Sequence, residues 1–415
     1  TLREKVSWAF YDWANSVFAT TVLAGFFPLF FKSFWAGELS DVASTALLGT
    51  VSSISGFIIV VLAPILGAMA DFTGKKKVFL MTFALIGILS TSFLFFIPYG
   101  NWQWSLIIFG LSVIGFSGAN IFYDSLLLDV SSNEDRNFVS SLGYALGYLG
   151  GGILFLINVL MYLYPSFFGL SSQAEGILYS FLSVALWWLI FSIPIFLYVK
   201  QKNHESSKES GNLISQSFQR ILLTFREIKR YKPVLIFLIA YWFYIDAIDT
   251  IVRMAVAYGT DLGFDSSQLI IALIFTQFIG FPATFAYGYL AERFGLFNML
   301  VFGILVYIGI CIYSLFITSA VDFFILAGLV GLVQGGVQSV SRTIFSRLIP
   351  REKATEFFGF YNLIGKSAVV IGPALVGWMA YIFNNPKAGI VSLLILFIPG
   401  IVILFYVPKN SLLRD

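Results

Sequence analysis

Twelve apolar runs, each long enough to cross a bilayer as a helix, leave this chain almost no freedom of fold. In hydrocarbon, backbone N–H and C=O groups must be satisfied within the protein, so a run of about 20 apolar residues folds as a helix. By hydropathy the runs lie at about 7–31, 44–70, 78–98, 103–130, 138–163, 176–199, 233–258, 267–290, 297–317, 322–349, 356–383 and 389–407. Only 11% of the 415 residues are charged, against roughly 25% in a soluble domain. The expected class is an all-α, polytopic membrane protein. Lys and Arg set its orientation. With both termini cytoplasmic, that side receives Arg3, Lys5, Lys75 to Lys77, Arg136, the basic run from Lys200 to Lys232, Arg293, Arg347, Arg351, Lys353, Lys409 and Arg414. The opposite side receives only Lys32 and Lys387. The opening run is too long for a signal-peptide core and lacks a small-residue cleavage site, so no cleavable signal is expected.

The widest polar break, 201–232, separates six runs from six. The expected organisation is an N-terminal bundle over 1–200, a cytoplasmic linker over 201–232 and a C-terminal bundle over 233–415. Within the linker Ile214, Phe218, Ile221, Leu222, Phe225 and Ile228 share one helical face, with Arg220, Arg226, Lys229 and Arg230 elsewhere. That pattern fits a helix lying on an anionic leaflet, or simply a tether.

The two halves repeat one another. Trp8, Asp12, Asn15 and Ser16 correspond to Trp242, Asp246, Asp249 and Thr250 at identical spacing. Gly67-Ala-Met-Ala-Asp71-Phe-Thr-Gly74-Lys75 is echoed by Gly288-Tyr-Leu-Ala-Glu292-Arg293-Phe-Gly295. Asp124 and Asp129 are matched by Arg342 and Arg347. Two pseudo-symmetric six-helix bundles follow.

Much soluble chemistry is excluded. The lone Cys311 lies in an apolar run and the lone His204 in the linker, so no Cys/His metal site and no cofactor is expected. No nucleophile elbow or paired catalytic acid motif occurs, which argues against an enzyme. With the bilayer as its surroundings, no nucleic-acid partner is expected.

The acid, the two glycines and the basic cluster at Gly67, Asp71, Gly74 and Lys75 resemble the cytoplasmic loop signature of the major facilitator superfamily. Locally, glycine permits a tight turn and the acid can cap a helix, while the lysines can pair with an acid at a nearby helix end, Asp129 being the natural candidate. Three further stretches narrow the resemblance: Phe10-Tyr-Asp-Trp-Ala-Asn-Ser16, Gln334-Gly-Gly-Val-Gln338 with Ser341-Arg342, and Glu356-Phe-Phe-Gly-Phe-Tyr361 with Gly365-Lys366. Together they resemble the branch that contains the autophagy-related vacuolar amino-acid effluxers and their bacterial relatives. Run seven departs from that branch, which usually reads Tyr-Asn-Asp-Gly-Val-Gln-Thr where this chain has Tyr244-Ile-Asp-Ala-Ile-Asp-Thr250. The resemblance implies the major facilitator fold, amino-acid efflux, a central cavity lined by runs one, four, seven and ten, and, in a bacterium, residence in the inner membrane. A monomer is expected.

Asp12, Asp124, Asp246, Asp249, Arg253, Arg342 and Lys366 all fall within runs, although Asp12 lies close enough to the inner end to be interfacial. Unpaired at mid-bilayer each costs about 3 kcal/mol, or roughly 20 kcal/mol for the set, so most should pair or face a wet cavity. Stripes of Asn15 and Asp12 (run one), Asn120 and Asp124 (run four), Asp249 and Arg253 (run seven) and Gln334, Gln338 and Arg342 (run ten) converge in this architecture. Of these, Asn15, Asn120, Asp249, Arg253, Gln334, Gln338 and Arg342, together with Lys366, are the expected binding groups for a small-molecule substrate. The bases all come from the second half: they can bind an anionic group of the substrate, or Arg342 can pair with Asp124 across the halves. Burial raises a carboxylate's pKa and a nearby cation lowers it, so Asp12, Asp124 and Asp246 are candidate proton-coupling sites. Structural pairing alone is the competing reading. Gly67, Asp71, Gly74, Lys75, Asp129, Glu292 and Arg293 are the expected cytoplasmic gate. The expectation is a proton-coupled secondary transporter of small polar solutes. The rivals are a lipid or lysolipid transporter, kept open by 46 phenylalanines, and a membrane receptor that transports nothing.

Overall fold

The computed structural model describes residues 1–73, 75–132, 136–201, 231–349, 361, 364–365 and 371–408. Among these there are helices and turns but no strand. The helices are α1 (Leu2–Trp35), α2 (Asp41–Thr73), α3 (Lys76–Phe93), α4 (Trp102–Val130), α5 (Arg136–Leu163), α6 (Gln173–Tyr198), α7 (Lys232–Asp261), α8 (Ser266–Phe294), α9 (Leu296–Tyr313), α10 (Ala320–Leu348), α11 (Ile371–Ile382) and α12 (Pro386–Leu404). Eleven are long and apolar enough to cross a membrane; of α11 only Ile371–Ile382 is described. Most of the linker and most of the first part of run eleven, including Lys366, lie outside the described residues, as does Gly74.

Helix starts follow local chemistry. Ser172, Asp265 and Ser319 each cap a helix with a side-chain oxygen. Ser319 and Asp322 form a reciprocal capping box, Asp322 Oδ2 accepting from the Ser319 N–H at 2.9 Å.

One boundary differs from the hydropathy reading with consequences. The charge of Lys32 breaks the apolar run, yet α1 continues to Trp35. Residues Phe18–Phe26 and Phe31–Trp35 are wound as π-helix. Dense aromatic packing holds the extension: Phe27 stacks on Phe109 at 3.8 Å, and Trp35 stacks on Phe181 at 6.0 Å. Lys32 is therefore no exposed anchor. Its side chain is buried and ion-paired with Asp261 of α7.

The polarity of the molecule runs opposite to that of a soluble protein. Ile107, Leu186, Phe278, Leu305 and Val402 are exposed, while Asn15, Asn120, Asp246 and Thr250 are buried. Only hydrocarbon outside makes that distribution favourable.

The first six helices pack mainly on one another, as do the last six. α1 lies against α5 and α6, and α7 lies against α12. Between the sets the densest contact is α2 on α11. Glycine permits it: a Cβ on Gly49 would lie 2.2 Å from the Pro373 carbonyl oxygen, and one on Gly377 would lie 2.9 Å from Ala46 Cα. Trp378 Nε1 donates to Thr50 Oγ1 at 3.1 Å in the same seam. Following the chain, this contact and the Lys32–Asp261 pair belong to the distal end of the bundle, away from the face where α1 begins.

Candidate functional site

The repeated stripe makes the same contact in both halves. In the first, Asp12 and Ser16 of α1 face glycines of α5: a Cβ on Gly143 would meet Asp12 Oδ2 at 2.9 Å, and one on Gly147 would meet Ser16 Oγ at 2.7 Å. In the second, Asp246 and Thr250 of α7 face a glycine of α11. A Cβ on Gly372 would lie 2.8 Å from Asp246 Oδ1 and 2.1 Å from Thr250 Oγ1. The acid and the hydroxyl one turn later need a bare backbone opposite them in each case.

Their hydrogen bonds differ. Asp12 is half-buried and accepts from Tyr123 Oη at 3.1 Å; Tyr123 in turn stacks on Trp8 with centroids 4.4 Å apart. Trp8 Nε1 donates to the Tyr123 carbonyl oxygen at 2.9 Å. Asp246, 1% exposed, accepts from the backbone N–H of Ile371 at 3.2 Å and of Gly372 at 3.1 Å. Both donors are the first described residues of α11.

Asn15 and Asn120 join α1 to α4, the Asn15 amide donating to Asn120 Oδ1 at 2.6 Å. Both are buried. Asp249 and Arg253 lie one turn apart on α7, half-buried, and Arg253 has Asp249 and Asp246 as its electrostatic neighbours. Gln334 and Gln338 are half-buried on α10.

Arg342 is where the two sets of helices meet near the face bearing the start of α1. Its Nη2 donates to Tyr144 Oη of α5 at 2.8 Å, with the guanidinium carbon 4.8 Å from the Tyr144 ring centroid. Asp124 of α4, Tyr241 of α7 and Tyr361 are its other electrostatic neighbours. Tyr241 stacks on Tyr361 at 4.4 Å, and Tyr361 on Phe345 at 4.6 Å. Tyr244 Oη and Ser341 Oγ are 2.7 Å apart, tying α7 to α10 beside the cation. Tyr144 and Tyr241 were not singled out from sequence. A signal existed: Gly143-Tyr144 and Gly147-Tyr148 put two tyrosines one turn apart beside two bare backbone positions.

At the basic loop, Lys76 rather than Lys75 reaches Asp129, at 3.6 Å, and both partners are buried; Lys75 is exposed. Lys77 instead donates to the carbonyls of Phe196 and Val199, closing the end of α6. Gly67 and Asp71 fall in the last turns of α2, with their side chains outside the described set, as is that of Glu292. Arg293 is exposed beside Phe294. Among the described residues no group of His, Cys, Asp and Glu could hold a metal ion.

The family described as "Vacuole effluxer Atg22 like" matches residues 1–132 and 128–415. A Bacillus subtilis protein described as the uncharacterized MFS-type transporter YxiO is 42% identical over 99% of this chain and 96% of its own length. Autophagy-related protein 22 of Vanderwaltozyma polyspora is 23% identical over 96% of this chain and 90% of its own. Among solved structures, the xylose transporter XylE from E. coli in a partially occluded inward-open conformation superposes with a TM-score of 0.69 at 16% identity, covering 98% of each chain. That likeness shows the fold; the MFS-type relative at 42% identity gives it the major facilitator name, and with the eleven apolar helices makes this a multi-pass membrane protein. The family match spans both halves of the chain, so this protein belongs to the Atg22-like vacuole effluxer family.

Proposed function

We propose that the chain is a secondary active transporter of small polar solutes bearing a carboxylate, amino acids among them, working by alternating access between two six-helix halves. The observation that carries this reading is Arg342 of α10 donating to Tyr144 of α5 at 2.8 Å with Asp124 in range. The cation of one half donates to a phenol of the other. A solute carboxylate that engages the guanidinium fork displaces Tyr144 and competes with Asp124, so binding alters the contact between the halves. A proton taken up at the seam together with the solute then restores neutrality there, which links solute to proton.

Asn15, Asn120, Asp249, Arg253, Gln334, Gln338 and Lys366 complete the proposed binding set, with Asp12, Asp124 and Asp246 for proton coupling. Gly67, Asp71, Gly74, Lys75, Asp129, Glu292 and Arg293 form the proposed gate on the face bearing the termini. The reading includes cytoplasmic termini, a bacterial inner membrane, a monomer and efflux as the direction, the last supported by the family description. Lipid transport is the weaker reading. An apolar cavity lined by Ile251, Ala255, Leu273, Phe323 and Val330 suits hydrocarbon, but the ionic groups around Arg342 suit a charged solute.

Counterflow of a labelled amino-acid panel in proteoliposomes, with and without a pH gradient, tests this. Uptake is expected for at least one member, accelerated by the gradient and abolished by Arg342→Gln. No uptake of any member removes the amino-acid reading, and uptake indifferent to the gradient removes the proton.

A further inference from the structure

A carboxylate can report the conformation of a two-part protein only if its surroundings change when the parts move. Asp246 does not meet that condition strongly. Its partners Ile371, Gly372 and Thr250 all belong to the last six helices and travel with it. Asp261 is different. Its hydrogen-bonding partners among the described residues, Lys32 of α1 and Thr45 of α2, both belong to the first six helices, Thr45 Oγ1 donating to Asp261 Oδ2 at 2.6 Å. Lys32 Nζ also donates to the Ala257 carbonyl oxygen of α7 at 3.0 Å. Three bonds thus cross the seam at one point, at the distal end. The Lys32 and Asp261 side chains are only 2% and 1% exposed. Asp41, exposed at the start of α2, lies in electrostatic range of both.

We propose that Lys32 and Asp261 form the distal gate of this transporter, a switch that holds the outer seam shut and separates into water when the seam opens. The inference rests on the alternating-access reading above. A buried ion pair is poor glue, because desolvation offsets most of its attraction. As a switch it has the right properties. Paired, it is satisfied in the closed state; separated, both ends are hydrated in the open state. Removing one partner leaves a lone buried charge in the closed state alone, and so pushes the protein open. Replacing both by apolar side chains removes that penalty and lets the seam close again. The π-helical turn at Phe31–Trp35 carries Lys32, so local winding of α1 aims it across the seam.

The test uses the full chain in nanodiscs, where a maleimide reaches both faces. Ser44→Cys is the reporter, since Ser44 is 1% exposed next to Thr45, makes none of the three bonds across the seam, and the native Cys311 is buried. Labelling of Ser44→Cys alone is expected to be slow. Adding Lys32→Met or Asp261→Asn should raise the rate about tenfold or more, and the Lys32→Met/Asp261→Leu pair should return it toward the slow value. Size exclusion checks folding. The two single variants leave opposite lone charges, so either one tests the claim if the other fails to fold. Single variants that label no faster than the background, or a double variant as fast as the singles, overturn the gate. Labelling needs no solute, so its failure is separate from failure of the counterflow experiment.

Discussion

Asp246 Oδ1 and Oδ2 both accept from the backbone N–H of Gly372, each at 3.1 Å, so one carboxylate of α7 holds α11 at Gly372. α11 in turn packs on α2 across the seam, through Pro373 against Gly49 and Trp378 against Thr50. The acid is thus a mechanical link between the middle of α7 and the surface on which the two halves meet, whether or not it also carries a proton.

Asp246→Asn retains one acceptor and loses the charge. Hydrogen bonds to charged groups contribute about 1.5–3 kcal/mol, so the variant should be destabilised by about that amount. Thermal unfolding in detergent, followed by a fluorescent reporter of exposed thiol at Cys311, measures it. A shift within error of zero would show that the N–H groups are equally well served by the amide.

Gly372→Ala should be worse than an ordinary surface substitution, because the new methyl would lie 2.1 Å from Thr250 Oγ1. Overpacking of this kind typically destabilises by about 1–3 kcal/mol. Adding Thr250→Ala removes the obstructing hydroxyl, and the double variant should recover part of the loss. Identical unfolding temperatures for the single and double variants would place the strain elsewhere.

Gly49→Ala acts on conformation as well as stability. Its methyl would lie 2.2 Å from a backbone oxygen of the opposite half, and backbone cannot rotate away. Spin labels placed at the distal ends of α2 and α11 should report a longer distance in Gly49→Ala than in the unaltered protein. An unchanged distance distribution would mean that α11 yields locally instead.

Asn15 and Asn120 allow a double-mutant cycle. Truncating either side of their buried 2.6 Å bond strands a polar group, for which about 1–3 kcal/mol is expected. Asn15→Leu with Asn120→Leu should be nearer neutral than either single change, since no polar group is left unpaired. Additive losses would indicate that each amide has a separate task, such as contact with solute.

Tyr144→Phe and Arg342→Lys separate charge from geometry at the seam. The first removes the phenol that accepts from Arg342; the second keeps a cation but loses the planar fork. In counterflow, Arg342→Lys should weaken transport more than Tyr144→Phe, with about tenfold or more lost for the lysine and a few-fold for the phenylalanine. Equal activity of all three proteins would remove Arg342 from the solute site.

The order of helices was legible in the chain because a bilayer imposes it: apolar length dictates each crossing, and the spacing of Trp8, Asp12 and Ser16 against Trp242, Asp246 and Thr250 declares the internal repeat. That the pair Asp12 and Ser16 and the pair Asp246 and Thr250 each face glycine also has its origin in sequence, since only a bare backbone tolerates a polar group so close. Tertiary structure alone decided the partners. Lys32 counts by hydropathy as a charge outside the first run and proves to be buried against Asp261, 229 residues away, because aromatic packing and π-helical winding carry α1 past the charge. Tyr144, which nothing in the sequence analysis singles out, meets Arg342, 198 residues on. A helix displays its polar stripe at fixed intervals along the chain, but which stripe it faces depends on how the helices are arranged around the seam, and no periodicity along one helix encodes that.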